Sequence, residues 1–212
     1  MLEWPGRGGE DRGLVDGPAG ALEVDVSLPE DEPCGAAVIC HPHPQYGGSL
    51  DNKVVFTLAR AARESGLAAV RFNFRGVGKS EGVYDEGAGE LDDARAVIEW
   101  AGAAAGGLVL AGFSFGAAIA LRAAVGRDVR GLATVALPVR YFDALPRPDC
   151  PWLAVHGDAD DVADCAEAVR RLGVLTPAPE IEVLAGAGHF FHGRLSDLRE
   201  TVAPRFRQWA GA

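Results

Sequence analysis

Short apolar runs alternate with longer amphipathic stretches along most of the chain. After a turn at 17–20, Leu22, Val24 and Val26 alternate with polar residues, which indicates the second strand of a hairpin. Further apolar runs predict strands at 36–40, 68–74, 107–112, 130–137, 151–155 and 180–184. Helical spacing of apolar residues predicts helices over 52–65, 89–104, a stretch beginning just past residue 114, 162–172 and 194–210.

This alternation of strands and helices predicts an α/β fold with a doubly wound, mainly parallel sheet and helices on both faces. Residues 1–12 are polar and rich in glycine, and we expect them to form a flexible tail. Residues 13–212 are then predicted to form a single domain, since there is no repeat, low-complexity segment or linker.

Composition narrows the possible partners. The formal net charge is −10, so we expect neither a nucleic acid nor an anionic membrane as partner. No apolar stretch is long enough to span a membrane and the start does not resemble a signal peptide, so a cytoplasmic protein is expected.

Cys34 and Cys40 flank one predicted strand and lie too far apart for a disulfide. All four cysteines are predicted to be reduced.

Candidate chemistry begins with the sequence Gly112-Phe-Ser114-Phe-Gly116, which lies between a predicted strand and a predicted helix. Gly-x-Ser-x-Gly in that context is typical of a nucleophile elbow, a sharp turn that exposes the serine hydroxyl above the sheet. Glycines flank the serine because a Cβ at either place would crowd the turn. Ser114 is therefore the predicted nucleophile.

A serine nucleophile needs a base, and the base needs an orienting acid. Loops that follow parallel strands meet at one edge of the sheet, and two such loops carry suitable residues. The candidate acids are Asp158, Asp160 and Asp161, and the candidate bases are His189 and His192. Spacing alone leaves these alternatives open, although the order serine, aspartate, histidine is that of elbow-type hydrolases.

Over residues 20 to 210 the chain resembles small members of the α/β-hydrolase superfamily, in the esterase and dienelactone-hydrolase-like branch. His156-Gly-Asp-Ala-Asp160-Asp-Val162 matches the family's His-Gly-x-x-Asp-x-Val signature, and Gly186-Ala-Gly-His189 matches its Gly-x-Gly-His motif. The resemblance thus implies Asp160 as the acid and His189 as the base. Asp161 is then the expected helix cap.

Acyl transfer also needs backbone donors for the oxyanion. The N–H of Phe115, the residue after the nucleophile, is the first candidate. The loop after the strand at 36–40 should supply the second, and Pro42 and Pro44 have no N–H to give. By position we expect the His43 N–H, with Gln45 or Tyr46 as the fallback. No metal site is expected at His41 and His43, because no further ligand follows at a recognisable spacing.

The segment Arg75-Gly-Val-Gly78-Lys79-Ser80 superficially resembles a phosphate-binding loop. That motif requires glycine five residues before Gly78, and Asn73 stands there. The segment instead resembles a structural Arg-Gly-x-Gly-x-Ser loop of α/β hydrolases. We expect Arg75 to tie loops together through Asp92 or Asp93.

No cap domain is expected, because residues 138–150 are too few to form a helical lid. The predicted function is a cofactor-free serine hydrolase that cleaves small or exposed carboxylic ester or thioester bonds and acts as a monomer or homodimer. A thioesterase with the same triad, or a non-catalytic binding module, are the alternatives. The predicted substrate-binding side chains are those of Tyr46, Phe113, Tyr141 and Phe190, taken from a larger set of aromatics in which several must be core.

Overall fold

A computed structural model describes residues 2–211. Eight strands form one sheet in the order β1-β2-β4-β3-β5-β6-β7-β8. The strands are β1 Glu10–Gly17, β2 Gly20–Ser27, β3 Ala36–Cys40, β4 Ala68–Phe72, β5 Leu108–Phe113, β6 Gly131–Val135, β7 Trp152–Gly157 and β8 Glu180–Leu184. The strands from β4 to β8 in this order pair in parallel, and the β1–β2 hairpin adds two antiparallel strands at one edge. The predicted α/β architecture is confirmed.

Five helices cover the sheet: α1 Lys53–Glu64, α2 Ala88–Ala105, α3 Phe115–Ala124, α4 Cys165–Gly173 and α5 Leu195–Ala210. Helices α1 and α5 bury their apolar sides in one core, and α2, α3 and α4 bury theirs in the other core across the sheet. The central strands β3, β4, β6 and β7 are buried along their whole length, as expected for parallel strands covered on both faces. No helix within residues 2–211 is long and apolar enough to cross a membrane.

The segment expected to be a flexible tail is packed against the domain over its described part. Leu2 N–H donates to the Leu14 carbonyl, and the Trp4 ring lies 5.7 Å from that of Trp100. Strand β1 begins at Glu10, three residues before the predicted start of the domain. Two large apolar side chains in an otherwise polar stretch account for this docking, because they bury surface that would be left in water.

The order of the strands reverses at β3, which lies between β4 and β5. The chain leaves β3, forms β4 on one side, and returns as β5 on the other, so the loops after β3 and β5 diverge over the two faces of the sheet. Such a switch point leaves a crevice at the carboxyl ends of the strands. The loop that starts at His41 and the turn that contains Ser114 meet there.

The connection after β6 contains one short 3-10 turn, Val139–Tyr141, and no α-helix. The absence of a cap domain over this edge of the sheet is thus as predicted. The four cysteines are free thiols.

Candidate active site

The turn at Ser114 has the strained geometry of a nucleophile elbow. Ser114 joins β5 to α3 with φ 55° and ψ −119°, a region that side chains with a Cβ rarely adopt. Such a conformation costs about 1–3 kcal/mol. A Cβ at Gly112 would overlap the Gly116 carbonyl, and one at Gly116 would overlap the Cys40 carbonyl. The two glycines therefore let the elbow close against β3.

The structure places His189 within hydrogen-bonding distance of Ser114 and Asp160. Its Nε2 lies 3.1 Å from Ser114 Oγ, and its Nδ1 lies 2.8 Å from Asp160 Oδ2. The Asp160 carboxylate is an acceptor only, so Nδ1 carries the proton and Nε2 can accept one from the serine. These are the contacts that a serine nucleophile, its base and an orienting acid require.

The His189 ring is fixed by two aromatic rings. Phe113 lies 5.0 Å from it on one side and Phe190 lies 5.1 Å from it on another. His192, the other candidate base, is exposed and contacts Phe190 at 5.8 Å between ring centroids. The structure therefore brings His189 and not His192 to Ser114.

Asp160 is held by its own loop. Its Oδ1 accepts hydrogen bonds from the N–H groups of Val162 at 2.8 Å and Ala163 at 2.7 Å. Burial alone would raise the pKa of Asp160, but the hydrogen bonds from His189, Ala163 and Val162 hold that pKa below its usual value. The carboxylate is thus kept ionised beside His189.

The expectation that Asp161 caps the following helix is wrong. Asp160 accepts the free N–H groups of the turn, and Asp164 caps α4 by accepting from Glu167 N–H at 2.9 Å. Helix α4 consequently begins at Cys165, three residues later than predicted. Asp158, the remaining candidate acid, accepts from Gly186 N–H at 2.6 Å and so joins the loop after β7 to the loop that carries His189.

The backbone N–H groups of Phe115 and His43 are available to an oxyanion. Within residues 2–211 neither N–H donates a hydrogen bond to another group. The fallback donors are already engaged, since Gln45 N–H donates to His43 Nδ1 and Tyr46 N–H donates to the His43 carbonyl.

A cavity of about 300 Å³ opens beside these groups. Its lining includes Ser114, His189 and three of the four predicted substrate-binding aromatics, Tyr46, Tyr141 and Phe190. Phe113, the fourth, is fully buried. It packs beneath His189 because the last residue of β5 points into the core, so its assignment to the substrate wall is corrected.

Sequence reasoning missed two residues near this cavity. His41 is fully buried, and the Nε2 of its ring accepts from Phe74 N–H at 3.0 Å. Arg140 lies on the cavity wall. A histidine at the end of a buried strand was the available signal for the first residue, whereas nothing local to the sequence marks Arg140.

The loop resembling a phosphate site binds a carboxylate of the chain itself. Glu23 Oε2 accepts from Lys79 N–H at 2.9 Å and from Asn73 Nδ2 at 2.7 Å. Arg75 binds Asp93, with Nε–Oδ2 3.0 Å and Nη2–Oδ1 2.7 Å, which makes Asp93 and not Asp92 its partner. The predicted structural role of this loop agrees with both contacts.

Known proteins share both the sequence pattern and the fold of this chain. The sequence profile of the X-Pro dipeptidyl-peptidase (S15) family matches residues 16–146, more than half of the chain. The chain belongs to this family. The matched region includes Ser114 and ends before Asp160 and His189.

Relatives cover almost the whole chain. An uncharacterized protein of Rickettsia prowazekii is 32% identical over 202 residues, 88% of this chain and 84% of that protein. An α/β serine hydrolase homologue from Coxiella burnetii is 45% identical with a TM-score of 0.89, covering 92% of this chain and 96% of that one. An α/β serine hydrolase without a lid from Xanthomonas campestris is 41% identical with a TM-score of 0.92, covering 100% and 99%. This S15-family chain is accordingly a small α/β serine hydrolase without a lid.

Proposed function

We propose that this protein hydrolyses carboxylic ester or thioester bonds through an acyl-enzyme on Ser114. The observation that carries the proposal is the hydrogen-bonded chain from Ser114 Oγ through His189 to the buried carboxylate of Asp160. A serine hydroxyl is a weak nucleophile on its own, and this chain supplies the base and the orientation that it needs.

In the first step His189 Nε2 takes the proton of Ser114 as Oγ attacks the carbonyl carbon. The oxygen of the tetrahedral intermediate accepts hydrogen bonds from the N–H groups of Phe115 and His43. Asp160 stabilises the imidazolium that forms, and His189 passes its proton to the leaving alcohol or thiol. In the second step water attacks the acyl-enzyme and His189 accepts its proton. The bond between Ser114 Oγ and the acyl carbon then breaks, Oγ takes the proton from His189, and the carboxylic acid leaves.

The shape of the cavity favours short or exposed ester groups. Its volume of about 300 Å³ is at the lower end for a small-molecule pocket. Tyr46 is 85% exposed, Tyr141 41% and Phe190 47%, so these rings form an open rim and not a closed tunnel. A long acyl chain would remain largely in water.

A dipeptidyl-peptidase activity is the second candidate, because it is the activity by which the matched family is described. Such an enzyme must bind the ammonium group of a peptide, which calls for a carboxylate near the nucleophile. Among the described residues no aspartate or glutamate lines the cavity, and an arginine does. The charge of the cavity therefore favours an ester or thioester substrate.

A substrate panel tests this proposal, with the Ser114→Ala protein as the matched control. We expect hydrolysis of 4-nitrophenyl acetate and butyrate and of an acetyl thioester, weaker hydrolysis of the decanoate, and no cleavage of glycyl-prolyl-4-nitroanilide. Cleavage of the anilide in preference to every ester would favour the peptidase. No turnover above Ser114→Ala would overturn the proposed hydrolysis.

A further inference from the structure

The cavity that contains Ser114 carries charge of one sign. Arg140 lies on its wall, and no carboxylate of residues 2–211 lies there. The neighbouring cavity, of about 320 Å³, shares His43 and Tyr141 with it but is lined by both Arg122 and Glu86. The positive character is thus a property of the cavity beside the nucleophile and not of the whole surface around it.

Arg140 has no acidic partner within the described part of the chain. One of its N–H groups donates to the Val162 carbonyl, and its guanidinium carbon lies 5.5 Å from the centre of the Tyr141 ring. A guanidinium has five N–H donors, so most remain free. Of the two carboxylates that precede Val162, Asp161 forms no ion pair with Arg140 among the described residues, and Asp160 already accepts from His189 and two N–H groups.

The turn that carries Arg140 is held in place by hydrogen bonds from helix α4. Arg171 on α4 donates to the carbonyl of Val139 at 2.8 Å and to that of Phe142 at 2.6 Å. The backbone on both sides of Arg140 is therefore anchored before any substrate binds. Such preorganisation leaves less entropy to be lost when the guanidinium binds a ligand.

We propose that the substrate is an ester or thioester that carries a carboxylate, and that Arg140 binds this carboxylate. The inference rests on the proposed hydrolysis and names its substrate class. The chain has a net charge of −10, which repels an anion at long range, so a local arginine is needed for an acidic substrate to bind. The fork of a guanidinium matches a carboxylate in two parallel hydrogen bonds.

Two pairs of esters test the proposal, because the carboxylate can lie on either side of the scissile bond. On the leaving-group side 4-acetoxybenzoate is compared with 4-acetoxybenzamide. On the acyl side monophenyl succinate is compared with its neutral terminal amide. Within a pair the two esters differ in charge and hardly in shape, and the quantity measured is the ratio of their kcat/KM values.

In at least one pair Arg140→Gln should lower the ratio of charged to neutral ester by about 10- to 100-fold, the size of a charge-assisted hydrogen bond. Arg140→Lys should retain part of the preference. Arg147→Gln, which removes the same charge outside this cavity, should leave the ratio unchanged. A ratio that Arg140→Gln changes in neither pair would overturn the proposal, since a purely structural arginine affects both esters of a pair equally.

Binding without turnover separates this proposal from the proposed hydrolysis. Calorimetric titration of the Ser114→Ala protein should show tighter binding of the charged ester in the preferred pair, and the additional Arg140→Gln change should abolish that difference. This difference in binding would support the role of Arg140 even if the wild-type protein hydrolysed neither ester. In that case only the proposed hydrolysis would be overturned. Equal binding of charged and neutral esters by Ser114→Ala would overturn the role of Arg140.

Discussion

His41 and Pro42 are joined by a hydrogen bond of 2.6 Å between the ring Nδ1 and the Pro42 carbonyl. Because Phe74 N–H donates to the other ring nitrogen, the ring proton lies on Nδ1 and is donated to that carbonyl. The Pro42 carbonyl and the His43 N–H belong to one planar peptide unit and point in opposite directions. The buried His41 ring thus fixes the direction of the His43 N–H, which points away from the Pro42 carbonyl.

Two substitutions of His41 separate its two hydrogen bonds. An asparagine amide can still donate to Pro42, whereas a glutamine side chain reaches the Phe74 N–H instead. We expect both variants to lose stability, by about 1–3 kcal/mol for the group left unsatisfied. We expect kcat to fall about 10- to 100-fold further in His41→Gln than in His41→Asn, because only the glutamine frees the peptide whose N–H we propose as an oxyanion donor.

Urea unfolding and ester kinetics on the two variants check this prediction. The urea data serve as the control, because a variant that is still folded under the assay conditions cannot owe its lower kcat to unfolding. Equal kcat values for His41→Asn and His41→Gln would show that the bond to Pro42 does not orient the donor.

Replacement of Asp160 by asparagine should lower kcat/KM by about 10³- to 10⁴-fold. The Oδ1 of an asparagine can still accept from Val162 and Ala163, so the turn should be retained. The asparagine amide then donates to His189 Nδ1, which forces the ring proton onto Nε2. A protonated Nε2 can no longer accept the proton of Ser114. The measurement is ester hydrolysis at neutral pH.

The matched control for Asp160 is Asp161→Asn, which removes the same charge from an exposed neighbour. It should change kcat/KM by less than about threefold, since exposed substitutions away from the site have small effects. Comparable losses in the two variants would mean that the local charge, and not the contact with His189, is what matters.

The stability of the protein should fall as the pH is lowered below about 6.5. His156 is fully buried, and within residues 2–211 its ring nitrogens have no hydrogen-bond partner. Burial lowers the pKa of His156 to about 4. Burial lowers the pKa of His41 to about 4 as well. Between pH 6.5 and 4 the unfolded chain binds protons at these positions that the folded chain does not, so acid favours unfolding.

Replacing His156 with leucine isolates one of these contributions. From pH 7.5 to pH 5 the variant should lose about 2 kcal/mol less stability than the wild type, and at pH 7.5 it should be at least as stable, since an unpartnered polar group is removed. Urea unfolding at the two pH values measures both quantities. His192→Gln, at an exposed histidine, should follow the wild type. An unchanged pH dependence in His156→Leu would place the acid sensitivity elsewhere.

Much of the fold was accessible from the sequence because the central strands are continuous apolar runs. The run at 36–40 became β3 without a change of bounds, and the helix expected over 52–65 became α1 with Asn52 as its cap. The predicted start of a helix was wrong where a side chain, and not a backbone carbonyl, accepts the hydrogen bonds of the backbone N–H groups. Asp160 accepts the N–H groups of the turn after β7, and α4 consequently starts late.

The residues of the candidate site also differ in how far the sequence could indicate them. The elbow motif directly after β5 pointed to Ser114, but the spacing of the acids and histidines left several candidates open, and only the resemblance to α/β hydrolases pointed to Asp160 and His189. Phe113 was misplaced because the alternation of a strand does not tell which face the last residue takes once the chain turns. Arg140 escaped notice because its importance depends on its surroundings in space, namely a cavity without carboxylates.

The proposed chemistry depends above all on Ser114 being an activated nucleophile, which covalent labelling with a fluorophosphonate probe can establish. Such a probe requires a nucleophilic serine, its base and oxyanion donors, but no knowledge of the natural substrate. We predict a single adduct on the peptide that contains Ser114 at neutral pH, absent from folded Ser114→Ala. A folded wild-type protein that forms no adduct on this peptide would contradict the proposal and would leave a hydrolase fold without hydrolase chemistry.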